Sequence, residues 1–299
     1  DTNSHLAFVT ANAIVARRFR ETDPSYVEQC LEAARRAWQW VLEQEAIGDP
    51  EDLGLAVSAA VALHRSTGEA SFEKQAEAYA KRLLDRQTRD DEPVNGYFFQ
   101  WENDGPREAG LAVAGLFDFT RSYPNHPLAS KARDAILRVA EGYYRVMANT
   151  NAFAIIPWLV SKQPLGGGKR IGPYFYKNFL HVGVNQHLAR NGIALALAGK
   201  LLEASEYTGL AQCQIDWIYG CNPYNASSVH DIGQNQPTFF RARQNGFDPC
   251  TPPLTGGVMV GFGSTHPRGD ALAMNPGWWQ TTEYWSPTVC YTLILASLL

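Results

Sequence analysis

Most of the signals that mark a specialised chain are missing from these 299 residues. No apolar run approaches the ~18 residues that a membrane-spanning helix requires, and the opening residues 1–8 carry no signal-peptide pattern. Basic residues never cluster: no run of five occurs, and 26 Lys and Arg against 30 Asp and Glu leave a net charge of −4. That removes the electrostatic ground for a nucleic-acid partner and suits a neutral or weakly charged substrate. Cysteine is sparse and odd in number, five residues without a C-x-x-C pair, so neither a zinc cluster nor a complete disulfide framework is specified. One bridge in the loop-rich stretch, such as Cys221 with Cys250, stays open. The seven histidines are scattered without an H-E-x-x-H pattern, which speaks against a catalytic transition metal.

Nucleotide and serine-hydrolase signatures are missing too. The stretch 165–172, LGGGKRIG, has Arg170 where a P-loop needs Ser or Thr, and no strand is read before it. The stretch 256–263, GGVMVGFG, lacks the G-x-G-x-x-G spacing and reads as a tight loop. No G-x-S-x-G elbow occurs. Asn225-Ala226-Ser227 is a formal glycosylation sequon, meaningful only in a eukaryotic secretory protein. The chain opens on Asp1 rather than Met, so a processed or trimmed amino terminus is expected.

What is present is helical period, repeated. With 45% hydrophobic and 19% charged residues the composition is globular, and the length suits one large domain or two ordinary ones. Apolar residues three and four apart predict helices over 4–19 and 25–44, with ETDP between them as a turn and Pro24 as a helix starter. The hairpin recurs over 51–68 with 71–87, over 107–123 with 128–149, and over 188–205 with 207–220. A last helix, SPTVCYTLILASLL, is apolar enough to be buried. A hairpin alone cannot bury its apolar faces, so these nine helices are expected to stack side by side. The intervals 88–105, 150–187 and 221–285 are far longer than ordinary helix connections. All three follow the second helix of a pair; in a ring of hairpins they would gather on one rim and build a site there.

Near the carboxyl end, NPGWWQTTEYWSP (275–287) crowds three tryptophans and a tyrosine around one acid, Glu283. Sugar rings present apolar C–H faces and polar edges. Enzymes that cleave glycans therefore line their clefts with Trp and Tyr and use carboxylic acids whose proton is held by apolar surroundings. Glu283 beside Tyr284 and Trp285, with Trp278 and Trp279 upstream, fits a general acid at the wall of a cleft, partly exposed. The competing reading is that these rings plug the end of a core and Glu283 caps the following helix.

The order of segments resembles the carboxyl-terminal two thirds of glycoside hydrolase family 9, the endoglucanase-type glycosidases. DTNSHLAFVTANAIVARRF resembles the family's segment that opens Asp-Thr and continues into an alanine-rich helix. YFFQWENDGPREAGLAVAGL resembles its Ser-Trp-Asp stretch and would make Trp101 a sugar-stacking residue. YTGLAQCQIDWIYGCNPYNASSVHDIG is similar to the family's Gln-x-Asp-Tyr-x-Leu-Gly-x-Asn-Pro motif, here Gln214, Asp216, Trp217, Gly220, Asn222 and Pro223. The resemblance implies an all-α fold, the (α/α)6 toroid of helical hairpins. It implies hydrolysis of β-1,4-linked glucan or a related β-glycan by an inverting mechanism, with Glu283 as the general acid. Oligo- or polysaccharide would be the substrate, held by Arg241, Arg243, Trp101, Trp278, Trp279, Tyr284 and Trp285, and the protein would be secreted or periplasmic. No cofactor is implied; acidic side chains at 88–105 and 221–270 have no spacing that specifies calcium.

The departures from the pattern are as informative. Spacing from Gly233 and Asn235 places Arg241 where the family has the His of its His-x-Arg pair, and Arg243 on the Arg. The family's aspartate upstream of the acid falls near Met274, with Asp270 as its substitute, and Trp285 stands where the family usually has a small residue. Nothing matches the Asp-x-Gly-Asp motif that carries the water-activating base. Six hairpins need twelve helices and nine are read, so the chain is expected to lack the amino-terminal part of its barrel, supplied by another chain or an additional region. An open flank lined by Leu6 and Val9 of the first helix would follow. An alternative is a glycan-binding relative that does not cleave.

Overall fold

A computed structural model describes the chain except residues 45–46, 90, 101–104, 107–108, 237–253 and 275–278. Two compact units emerge. The first comprises Asp1–Thr88, Phe98–Gln100 and Ala109–Leu137; the second comprises Arg89–Tyr97, Trp101–Glu108 and Arg138–Leu299.

In the first unit the helix starts and stops are written locally. α1 (Thr2–Arg18) is capped by the Asp1 carboxylate, which accepts from the Ser4 N–H. α2 (Pro24–Glu43) is capped by Asp23 with Pro24 in its first turn, and α3 (Pro50–Thr67) by Asp49, which takes the Glu51 and Asp52 N–H groups. α3 stops at Gly68, whose φ of 75° is left-handed. α4 (Ala70–Leu84), α5 (Gly110–Ser122) and α6 (Pro127–Val139) follow. α1 packs on α2, and α3 on α1, α4 and α5. α3 is the hub: twelve of its eighteen residues are buried, mostly Ala, Val and Leu. Its crossing with α5 is so close that a Cβ on Gly54 would lie 2.3 Å from the Leu111 carbonyl oxygen.

Leu6 and Val9 do not line an open flank. Both are fully buried and, with Ala13 and Ala16, form the inward stripe of α1 at three- and four-residue spacing. The exposed large apolar side chains of α1 are Phe8 and Ile14.

The run that begins with α6 continues as a π-helical segment, Ala140–Arg145, and ends in one α turn, α7 (Val146–Ala148). The second unit then departs from the sequence reading. The interval read as a long loop, 150–187, contains an antiparallel sheet of β1 (Leu159–Ser161), β2 (Lys169–Ile171) and β3 (Tyr174–Lys177) in the order β1-β3-β2. LGGGKRIG is thus part of a β-ribbon, with Arg170 paired to Phe175. α8 (Asn185–Leu202) and α9 (Ser205–Tyr219) form the next hairpin, and α8 is buried over fourteen of its eighteen residues. β4 (Gly263–Ser264) pairs with β5 (Leu272–Ala273), and α10 (Trp279–Thr282) and α11 (Ser286–Leu298) close the chain. α11 packs on α8. It is not buried throughout: its inward face is Thr288, Thr292 and Leu295, while Leu293 stays 70% exposed, because only one stripe meets α8. The core of this unit includes Trp217, Phe179, Phe262, Leu188 and Ile218.

Among the described residues the nine long helical runs match the nine read from the sequence, and no helix is long and apolar enough to cross a membrane.

Candidate functional site

The residues around Glu283 are held by backbone rather than by a helix. The stretch read as a tight loop, 256–263, is extended and buried over Gly257–Gly263. On one side it pairs with the segment after the Asn-Pro motif: the Met259 N–H donates to the Ser228 carbonyl at 2.9 Å, and the His230 N–H to Gly257 at 3.0 Å. On the other side the Val260 N–H donates to the Glu283 carbonyl at 2.9 Å, the Gly261 N–H to Thr281 at 3.0 Å, and Met259 bridges Tyr284. From the third direction α8 grips it. Asn185 donates from its backbone to the Val260 carbonyl and from its side chain to Met259, both at 3.0 Å. Gly261, at φ 91°, leaves no room for a Cβ against that Asn185 amide.

The Asn-Pro motif works as scaffold. Asn222 donates to the Trp217 and Ala226 carbonyls at 3.0 and 2.8 Å and accepts from the Tyr224 and Ala226 N–H groups. Gln214, fully buried, donates to the Ala154 and Leu210 carbonyls and accepts from the Ile156 N–H. Trp217 is fully buried and stacks on Phe179, with ring centroids 5.4 Å apart. Asn222 and Gln214 thus satisfy buried polar backbone of the loops they tie down.

Glu283 itself is enclosed, with 7% of its surface exposed, less than the partly exposed cleft wall expected. It follows α10, where its N–H still donates to the Trp279 carbonyl. It precedes Trp285, the N-cap of α11, whose φ of −100° and ψ of 131° are extended. Alternation along extended chain places Glu283 and Trp285 on one side and Tyr284 on the other. Accordingly the Trp285 indole Nε1–H donates to Glu283 Oε2. Trp279 stacks on Trp285, with centroids 6.4 Å apart and planes inclined by 23°. Tyr284 faces Gly257; burial, then the Asp231 carboxylate, push its hydroxyl up to about 12.

Trp101, Trp278, Arg241 and Arg243 lie outside the described residues, as does Cys250; Cys221 is an exposed free thiol. Asp270 is engaged locally, 3.3 Å from His266 and 3.7 Å from Arg268. No group of three or more His, Cys, Asp or Glu with metal-site geometry occurs among the described residues. Sequence reading passed over Asn185, and over Trp158, which stacks on the buried His187 while His187 Nε2 donates to the Pro157 carbonyl at 2.9 Å. The available signal was a run of polar residues, Asn185-Gln186-His187, opening a helix that turns mostly apolar after Asn191.

Comparison with known proteins puts this arrangement in context. The family model for glycosyl hydrolase family 9 matches residues 2–283. Endoglucanase D of Acetivibrio thermocellus is 24% identical over 308 residues, covering 96% of this chain but 43% of that protein. A solved family 9 protein of Bacteroides ovatus superimposes with a TM-score of 0.67 at 17% identity, over 100% of this chain and 53% of that one. The cellulase Cel9M of C. cellulolyticum in complex with cellobiose gives a TM-score of 0.63 at 15% identity, over 100% and 64%. The chain thus spans less than half the length of the curated relative it matches and, in these comparisons, one half to two thirds of the solved structures. Their likeness bears out the all-α, (α/α)6-type fold. With the family's pattern running from Thr2 to Glu283, the chain belongs to glycosyl hydrolase family 9.

Proposed function

We propose that this chain supplies the general-acid side of an inverting β-glycan hydrolase of the cellulase type. The carrying observation is Glu283, an enclosed carboxyl gripped by a tryptophan N–H, on a backbone fixed from two directions, at the last residue of the family match. In this reading Glu283 gives its proton to the glycosidic oxygen as the C–O bond breaks, and the bonding pair leaves with that oxygen. Water attacks the anomeric carbon from the opposite face and yields its proton to a second carboxylate, roughly 6.5–9.5 Å across the cleft. That base and the remaining barrel helices come from outside these 299 residues, in keeping with the fraction of the relatives' length that the chain spans. Arg241 and Arg243 offer donors to sugar hydroxyls and the tryptophans offer stacking faces. A β-1,4-glucan fits the cellobiose held by the solved cellulase, and such a substrate implies a secreted or periplasmic enzyme.

The resemblance also favours a second reading, glycan binding without cleavage, since spacing from Gly233 and Asn235 puts Arg241 where the family has its histidine. Glu283→Gln separates the two. It keeps the shape and removes the acid, so with full-length protein turnover of cello-oligosaccharides should fall at least about a hundredfold, while aryl glycosides with good leaving groups lose far less. Equal loss on both substrates removes Glu283 as the acid. No new reducing ends from unmodified protein on any β-glycan selects the binding reading.

A further inference from the structure

We infer that Trp285 is a positioning residue for Glu283: its indole N–H decides which carboxyl oxygen carries the transferable proton, and it strengthens its hold as that proton leaves. The inference rests on the reading of Glu283 as the general acid.

A neutral carboxyl group has two unlike oxygens, one carbonyl-type and a good acceptor, the other a hydroxyl. Indole Nε1–H donates and cannot accept. Because it donates to Oε2, Oε2 takes the carbonyl role and the proton resides on Oε1. When Oε1 gives up its proton to the glycosidic oxygen, the carboxyl becomes an anion, and the same N–H now meets a charged acceptor. Charge-assisted hydrogen bonds are roughly twice as strong as neutral ones. The contact is therefore stronger in the transition state than in the bound ground state, which is the condition for raising kcat rather than merely lowering KM.

The indole is in a position to do this because it is anchored on three counts. Its residue caps α11, with the Val289 N–H donating to the Trp285 carbonyl at 3.0 Å. Pro287 follows in the first turn and restricts the backbone. Trp279, one turn before Glu283, stacks on the ring. Extended chain at 283–285 then leaves the donor and the carboxylate on one side.

The test is Trp285→Phe in the full-length protein, which keeps an aromatic ring against Trp279 and deletes the N–H. On cellotetraose kcat should fall about tenfold to a hundredfold, the range for losing a hydrogen bond to a charged group, with KM within about twofold, since a contact made in the transition state leaves KM in place. On an aryl cellobioside with a good leaving group kcat should stay within about threefold, because little protonation is needed there. Should Phe lower the melting temperature, benzothienylalanine at position 285, which has the shape of tryptophan with sulfur for the N–H, must reproduce the selective loss. Unchanged kinetics in either folded variant, equal loss on both substrates, or a change confined to KM overturns the inference. Glu283→Gln keeps the two levels apart. Selective loss there with no loss at Trp285 sinks only the positioning role; failure of Glu283→Gln sinks the acid itself.

Discussion

Each unit is organised around one buried helix, and the two differ in what they carry inside. α3 is lined with small apolar residues, and its buried polar groups are two serines: Ser58 donates to Asp118 at 2.7 Å and Ser66 to the Ala13 carbonyl at 2.6 Å. Both contacts join helix to helix. α8 buries Asn185, His187 and Asn191 instead, and Asn185 and His187 reach out to irregular chain at Met259 and Pro157. Hydroxyls are short enough to be satisfied without opening a helical interface, whereas amides and imidazole span the gap to a loop. A helix that must hold loops in place accepts large polar side chains in its interior, and each is costly to remove because its partner is left without water.

This difference can be broken at the glycines first. Gly54 on α3 faces backbone, whereas a Cβ added to Gly192 on α8 would meet the tip of Leu295 at 2.4 Å, the end of a flexible side chain rather than fixed backbone. Gly54→Ala should therefore cost about 3 kcal/mol or more, despite alanine's better helix propensity. Gly192→Ala should cost about 1 kcal/mol or less. Urea melts of both variants check this, and equal costs would mean that the α3–α5 crossing relaxes freely.

A middle-sized effect is expected at Asn185. Replacing it by Ala leaves the Met259 carbonyl unpaired and a gap beside Gly261, a loss of about 2 kcal/mol. Met259 and Val260 hold Tyr284 and Glu283, so glycan turnover should drop with stability. Ser58→Ala on α3 should cost less and leave turnover alone. Calorimetry with parallel assays decides; activity untouched by Asn185→Ala would uncouple α8 from the site.

The smallest effect is electrostatic. Burial, and then the neighbouring Asp49 carboxylate, raise Asp52 at the head of α3 to about 6. An acid raised on folding binds its proton more tightly in the folded state. Its ionised form is thus a burden above pH ~6 that is relieved as pH falls toward the unfolded value of about 4. Asp52→Asn should be more stable than the parent above pH ~6, and the gap should close by pH ~4. A gap constant with pH would assign the change to something other than ionisation.

The helical hairpins were legible because their ends are spelled in adjacent residues: Asp23-Pro24, Asp49-Pro50, Thr67-Gly68. The small sheet was not, because strands of three and four residues, as in β1 to β3, are too short to show a period. GGVMVGFG misled for a related reason. Only its start makes a turn, where the Gly257 N–H donates to the Leu254 carbonyl at 2.8 Å; further on, glycine permits backbone to approach its neighbours, as Gly261 does on Asn185. Leu6, Val9 and α11 were misjudged because apolar content does not say which face a neighbour covers. Glu283 stood out by the aromatic residues around it. Its bond to Trp285 needed the extended backbone that the Met259 bridge imposes, a long-range fact that no local window contains.

The π-helical segment Ala140–Arg145 has a bearing on how this chain is compared with its relatives. Its wider turn frees the Gly142 carbonyl to accept the Asn95 N–H at 3.0 Å, with no space for a side chain on Gly142. Such turns hold one residue more than an α turn. An alignment that keeps the helix in α phase will therefore drift by one position past Ala140. Tyr143, Tyr144 and Met147 would then be matched one position out, while the residues before Ala140 stay in register.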